Sequence, residues 1–390
     1  DKRYTVLEGR EAMGGTWDLF RYPGVRSDSD MYTFGYSFRP WTAGESFADG
    51  DAIRRYIEET AAEYGVDEKI RFGHRVVRAE WHSDAARWTV HAEVGAQRRP
   101  VRFSCDFLYT CTGYYDYERG HAPEWPGRER FGGTVVHPQQ WPEGLDYTDQ
   151  KVVVIGSGAT AVTLVPAMAE AARHVTMLQR SPTYVAAQPA RDELADRLRR
   201  WLPARLAHAA VRWRNVIRSL FYYQLARRRP ELFKKGLLKA ARAALGPDFD
   251  VDRHFSPTYQ PWDQRLCLAP DGDLFEALRE GRASVVTDEI ETFTERGIRL
   301  RSGQELEADL VVTATGLVLK LFAGLELVVD GEPVRLGETM AYKGVMFSGV
   351  PKLFSAFGYT NASWTLKVDL TAAWACRLMN WMERRGLAVV

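Results

Sequence analysis

Residues 151–161 read Lys-Val-Val-Val-Ile-Gly-Ser-Gly-Ala-Thr-Ala, a string with few structural solutions. A continuous apolar, β-prone run passes at once into G-x-G-x-x-A, and residues 162–172 then suit a helix. In that setting Gly156 permits a tight turn, and Gly158 lets the backbone reach a pyrophosphate. Ala161 allows close helix–strand packing. Ser157, Ala159 and Thr160 complete the loop. The phosphates rest at the helix N-terminus, where unpaired N–H groups favour anions. The next strand, 174–179, ends at Arg180-Ser181. Asp or Glu at this point serves a ribose 2′-OH, whereas Arg suits a 2′-phosphate. NADPH is therefore the expected dinucleotide of this unit.

An internal echo extends the reading. Residues 106–113 are Asp-Phe-Leu-Tyr-Thr-Cys-Thr-Gly, and 309–316 are Asp-Leu-Val-Val-Thr-Ala-Thr-Gly. Small residues at Thr112-Gly113 and Thr315-Gly316 let the backbone approach a ligand at the carboxyl edge of a parallel sheet. Two related nucleotide-binding units follow, the second inserted into the first. Glu8 closes the run 4–8 and fits a ribose without a 2′-phosphate, as in FAD. The expected fold is α/β, with two nested Rossmann-like domains and a helical insertion. Residues 1–118 and 317–390 form the FAD domain. Residues 150–316 form the NADPH domain with an insert near 187–250, and 119–149 link the two. Asp1 leads directly into the run ending at Glu8, so the first flavin strand and its glycine loop are expected upstream. Without them the chain is expected to hold FAD weakly.

Composition narrows the alternatives. With 390 residues the chain exceeds one ordinary core. At 45% apolar and 26% charged it is not disordered. A net charge of +1 gives no global case for nucleic acid. Four Cys without a C-x-x-C argue against a disulfide scaffold, a zinc ribbon or a dithiol reductase, and no metal site is read. Neither an 18-residue apolar run nor a signal peptide is present, so a cytoplasmic setting is expected. Residues 191–246 stand apart, with 15 Lys and Arg against 4 Asp and Glu. Trp201, Trp213, Phe221, Tyr222 and Tyr223 interleave with the cations. The segment reads as a helical insertion with a solvated basic face, or as a patch for weak membrane-surface or anionic-partner association. Residues 284–301 suit a small antiparallel element, and 370–384 an amphipathic helix.

Composition does not explain Phe131-Gly-Gly133-Thr-Val-Val-His137-Pro-Gln-Gln-Trp141-Pro142. This F-x-G-x-x-x-H-x-x-x-W-P string resembles the fingerprint of the type I Baeyer–Villiger monooxygenases of the flavin-containing monooxygenase superfamily. Three other runs are similar to the same family: 13–32, with Gly14, Gly15, Thr16, Trp17 and Asp28; 259–267, with Arg265; and 358–367, with Trp364. The resemblance covers essentially the whole chain.

The resemblance implies FAD and NADPH as cofactors, O2 as co-substrate and a C4a-peroxyflavin that attacks a ketone to give an ester or lactone. It assigns Arg265 as the active-site cation and Asp28 as the carboxylate that orients it, a planar pairing that Lys cannot copy. It counts His137 among the catalytic residues, in a positioning role near a domain hinge or in proton transfer. Trp364 lines the nicotinamide or substrate cavity, or is plain core. Many members carry Lys before the active-site Arg; Gln264 stands here, which leaves Arg180 as the main 2′-phosphate reader. Two alternatives stay open: an N- or S-oxygenating flavin monooxygenase acting on thioethers or thioamides, and a truncated, non-catalytic NADP-binding remnant.

Overall fold

A computed structural model describes residues 2–264 and 266–389. The chain divides into two compact units. The first gathers residues 1–18, 51–117 and 319–390; the second gathers 19–50 and 118–318.

The second unit is built on five parallel strands: β1 (Thr134–Val136), β2 (Lys151–Ile155), β3 (His174–Gln179), β4 (Ala283–Thr287) and β5 (Leu310–Thr313). Their spatial order is β4-β3-β2-β5-β1, so the order reverses beside β2. Val152, Val153 and Val154 are all buried, as expected for a strand covered on both faces. Helix α1 (Ala159–Met168) follows β2 and buries Leu164 and Val165. On one face Phe131, Val153, Leu178, Phe293 and Ile298 form a core under an antiparallel meander of residues 290–307.

Three expectations are corrected in this unit. Residues 283–287 join the parallel sheet, with Ala283 opposite Val175, and only 290–307 form the antiparallel element. Residues 119–149 are not a bare linker, because β1 pairs with β5 inside the sheet. Residues 19–50 cluster with this unit rather than with the first. A backbone bond ties that segment to the unit, Ser46 N–H donating to Ala190 O at 2.8 Å, while Gly50 N–H donates to Val25 O within the segment, also at 2.8 Å. The Arg26–Asp273 ion pair, at 2.6 Å, adds a side-chain tie.

The insert is helical: α2 (Glu193–Trp201), α3 (Ala204–Arg228) and α4 (Pro230–Leu245). Asp192 caps α2 by accepting from Ala195 N–H at 3.0 Å. Pro230 starts α4, where its missing N–H costs nothing.

In the first unit, strand Val6–Leu7 pairs in parallel with Ile70–Arg71, and Leu108–Thr110 with Leu353–Ser355. A five-stranded sheet, mostly antiparallel, buries Trp81 against Trp88 with ring centroids 5.6 Å apart. Helix α5 (Trp364–Arg385) begins six residues before the expected Leu370 and ends at Gly386 in the left-handed region. No helix among the described residues is long and apolar enough to cross a membrane.

Candidate functional site

The loop after β2 lies where the strand order reverses, the usual ligand crevice of an open α/β sheet. Gly156 has φ +139°, and a Cβ there would meet Ala314 O at 2.3 Å. Only glycine lets this loop pass the end of β5. Gly158 is the N-cap of α1, has no capping side chain and faces open space. The first N–H groups of α1, at Ala159 and Thr160, therefore stand uncapped by a side chain at the helix N-terminus. Ser157 Oγ donates to Ser181 O at 3.0 Å and lies 3.3 Å from Thr183 Oγ1, which ties this loop to the segment after β3. Arg180 is exposed there and has no partner among the described residues. An open helix N-terminus, a glycine that excludes Cβ and a free cation fit a dinucleotide with a 2′-phosphate.

The two echo segments repeat one device. Thr110 Oγ1 donates to Phe354 O at 3.2 Å, and Thr313 Oγ1 donates to Val136 O at 3.1 Å. Each acceptor lies on the neighbouring parallel strand. Both segments then turn through a left-handed glycine, Gly113 at φ +73° and Gly316 at φ +111°. Thr112 is exposed, and Thr315 Oγ1 donates to His121 O at 2.5 Å.

The fingerprint forms a clamp. Phe131 is core, edge-on to Phe293 at 6.0 Å. A Cβ on Gly133 would meet Asp309 O at 2.3 Å. His137 follows β1; its Nδ1 accepts from Gln139 N–H at 3.1 Å, so the proton sits on Nε2 and donates to Gly316 O at 3.2 Å. Burial holds the imidazole below its ordinary pKa. The ring lies flat on Gly120, where a Cβ would come within 1.8 Å of Cε1. Every polar atom of this ring is engaged in holding backbone.

The flavin-side residues fall in two places. In the first unit, Glu8 Oε1 accepts from Arg10 N–H at 2.9 Å, which fixes the carboxylate at its strand end. Gly14 (φ +117°) and Gly15 (φ +54°) lead into a short helix carrying Thr16 and Trp17. Thr16 Oγ1 lies 2.7 Å from the hydroxyl of buried Tyr115, and burial raises that phenol's pKa. Trp364 stacks on Tyr114 at 5.3 Å and lies tilted against Phe357 at 4.9 Å, over Gly358. Asp28 lies in the second unit, half-buried, beside the Ser27 hydroxyl that binds both Ser29 N–H and Ser29 O. Arg265 lies outside the described residues.

Sequence reasoning missed Gly120, Tyr115 and the Arg10–Asp18 ion pair. A Tyr-Tyr-Asp-Tyr run directly after Gly113 was the available signal for Tyr115.

A nucleotide cradle at the strand-order reversal, a second echo strand and a neutral histidine clamp define a two-dinucleotide α/β protein. The chain belongs to the flavin-binding monooxygenase-like family, whose model matches residues 33–219, and its curated relatives include FAD-containing monooxygenases. It is 54% identical to the FAD-containing monooxygenase EthA of Mycobacterium tuberculosis over 390 residues, covering all of this chain and 79% of that protein. The EthA of Mycolicibacterium smegmatis is 52% identical over 386 residues, 99% of this chain and 78% of that one. Among solved structures, an oxidized steroid monooxygenase bound to NADP superposes with a TM-score of 0.81 at 24% identity, over 99% of this chain and 82% of the other. An open form of cyclohexanone monooxygenase gives 0.81 at 19% identity, over 99% and 84%. These two share the fold.

Proposed function

We propose that this flavoprotein is an NADPH-dependent monooxygenase of the Baeyer–Villiger type, inserting one atom of O2 into ketones to give esters or lactones. The carrying observation is the Phe131–Pro142 fingerprint, whose His137 is locked between Gly120 and the Gly316 carbonyl. That geometry supports a positioning role, because a neutral imidazole with both nitrogens engaged is a poor proton carrier. FAD and NADPH are the cofactors, and bound FAD, reduced by NADPH, supplies the oxygen-activating chemistry.

The protein's own groups bind and orient. The uncapped N-terminus of α1 takes the NADPH pyrophosphate, and Arg180 takes the 2′-phosphate. Glu8 serves the FAD ribose. Arg265, assigned from its motif, supplies a fixed cation for negative charge developing on oxygen, and Asp28 orients it. Thioethers or thioamides are the side substrates, oxidised at sulfur.

The test measures product per NADPH consumed by the FAD-loaded enzyme, with a ketone and with a thioether. Ester or lactone from the ketone supports the proposal. Sulfoxide without any ester indicates an N- or S-oxygenating enzyme. NADPH binding without turnover of either indicates a non-catalytic protein.

A further inference from the structure

Helix α3 buries one side and exposes apolar residues on another. Ala207, Val211 and Asn215, four apart, are buried. Leu206, Trp213, Ile217 and Leu220 fall at spacings of seven, four and three, hence on one face, and every one is more than half exposed. Phe221 is also exposed, and Trp201 just before α3 is 86% exposed. Isolated exposed apolar residues need no explanation, but a stripe of large apolar residues with Trp213 along one helix face marks a contact surface.

The charge of the segment that carries the stripe selects the partner. Segment 191–246 carries 15 Lys and Arg against 4 Asp and Glu. Arg200, Arg205, Arg228, Arg229, Lys235 and Lys239 are exposed and have no carboxylate partner among the described residues. A second copy docked face to face would set these cations against themselves. An anionic leaflet complements them, and it accepts Trp and Phe at headgroup depth.

We infer that the α3 face is a peripheral docking surface for anionic lipid bilayers. The apolar stripe enters the headgroup boundary while the cations meet lipid phosphates, and the helix lies on the membrane without spanning it. Each cation near such a leaflet raises partitioning by about fivefold.

The test is co-sedimentation of the holoenzyme, at physiological salt, with vesicles of phosphatidylcholine alone and of phosphatidylcholine mixed with phosphatidylglycerol. Binding is expected only to the mixed vesicles, and added salt should weaken it. The triple change Arg205→Ala, Arg228→Ala, Arg229→Ala should lower partitioning about a hundredfold. The double change Trp213→Ser, Ile217→Ser should also lower it. Both variants should keep their circular dichroism and NADPH oxidation, since none of these residues belongs to the cofactor site. Equal binding to neutral vesicles would overturn the inference, as would binding that neither variant weakens. A dimer abolished by Trp213→Ser, Ile217→Ser, without lipid binding by the parent, would assign the face to a second copy and overturn it too.

Discussion

Arg180 is an exposed cation with no carboxylate partner among the described residues, next to a loop that Ser157 holds in place. Arg180→Ala should raise the NADPH KM about tenfold or more, since a charge-assisted bond is worth roughly 1.5–3 kcal/mol. NADH kinetics should hardly move; equal losses with both nucleotides would remove the assignment. Arg265→Ala should let NADPH oxidation continue while ester per NADPH collapses and hydrogen peroxide appears. Asp28→Ala should give a milder form, because it removes orientation and leaves the charge. Retained coupling in Arg265→Ala would send the search to another cation. Gly120 offers a different kind of test. An added methyl would overlap the His137 ring, so Gly120→Ala should lose about 1–3 kcal/mol of stability in denaturant melts. Gly120→Ala with His137→Ala, which clears the space, should recover part of that loss. At this scale the sequence was legible where chemistry is local: the 156–161 loop and the 131–142 fingerprint are contiguous strings. The Thr16–Tyr115 contact spans 99 positions, and nothing in either neighbourhood announces the other.

Helix α3 shows how an element can be visible while its seating is not. Scarce glycine and long apolar runs foretell helices, and α2, α3 and α4 form. Which face is buried could not be read, because apolar residues occupy opposite sides of α3. The buried side carries His208, whose two ring nitrogens have no hydrogen-bond partner among the described residues and whose ring lies 5.8 Å from Tyr32. Burial first, then the Arg212 charge, push its pKa from 6.5 to about 4. Because the folded state disfavours the charged form, the stabilisation is full above the unfolded pKa of about 6.5 and is lost as pH falls toward about 4. Its full size is about 3 kcal/mol. His208→Phe should therefore flatten the stability profile between pH of about 7 and about 4 relative to the parent, measured by denaturant melts at each pH. An unchanged slope would assign the acid sensitivity to other groups. The misgrouping of 283–287 has the same origin. A short alternating strand looks alike in either kind of sheet, and only its pairing with β3 decides.

Over the whole molecule, repetition was the most legible signal. Two strings ending in Thr-x-Thr-Gly foretold two nucleotide-type strands, and both carry the same Thr-to-carbonyl bond. The membership of residues 19–50 was not legible, since their backbone partners include Ala190, far along the chain. The charge of the molecule is likewise uneven. Segment 191–246 holds a net +11, while all other residues, with 37 Lys and Arg against 47 Asp and Glu, hold −10. Near neutral pH the sum almost vanishes but the separation remains, so the protein has the electrostatics of a zwitterion. Its colloidal behaviour should be inverted relative to an evenly charged protein. In dilute buffer, where fields reach about 30 Å, unlike regions of different molecules attract and the solution should cloud. Salt at about 0.15 M shortens that reach to about 8 Å and should clear it. Light scattering along a salt series would reveal salting-in, and turbidity that only grows with salt would show that the cationic segment is neutralised within the molecule.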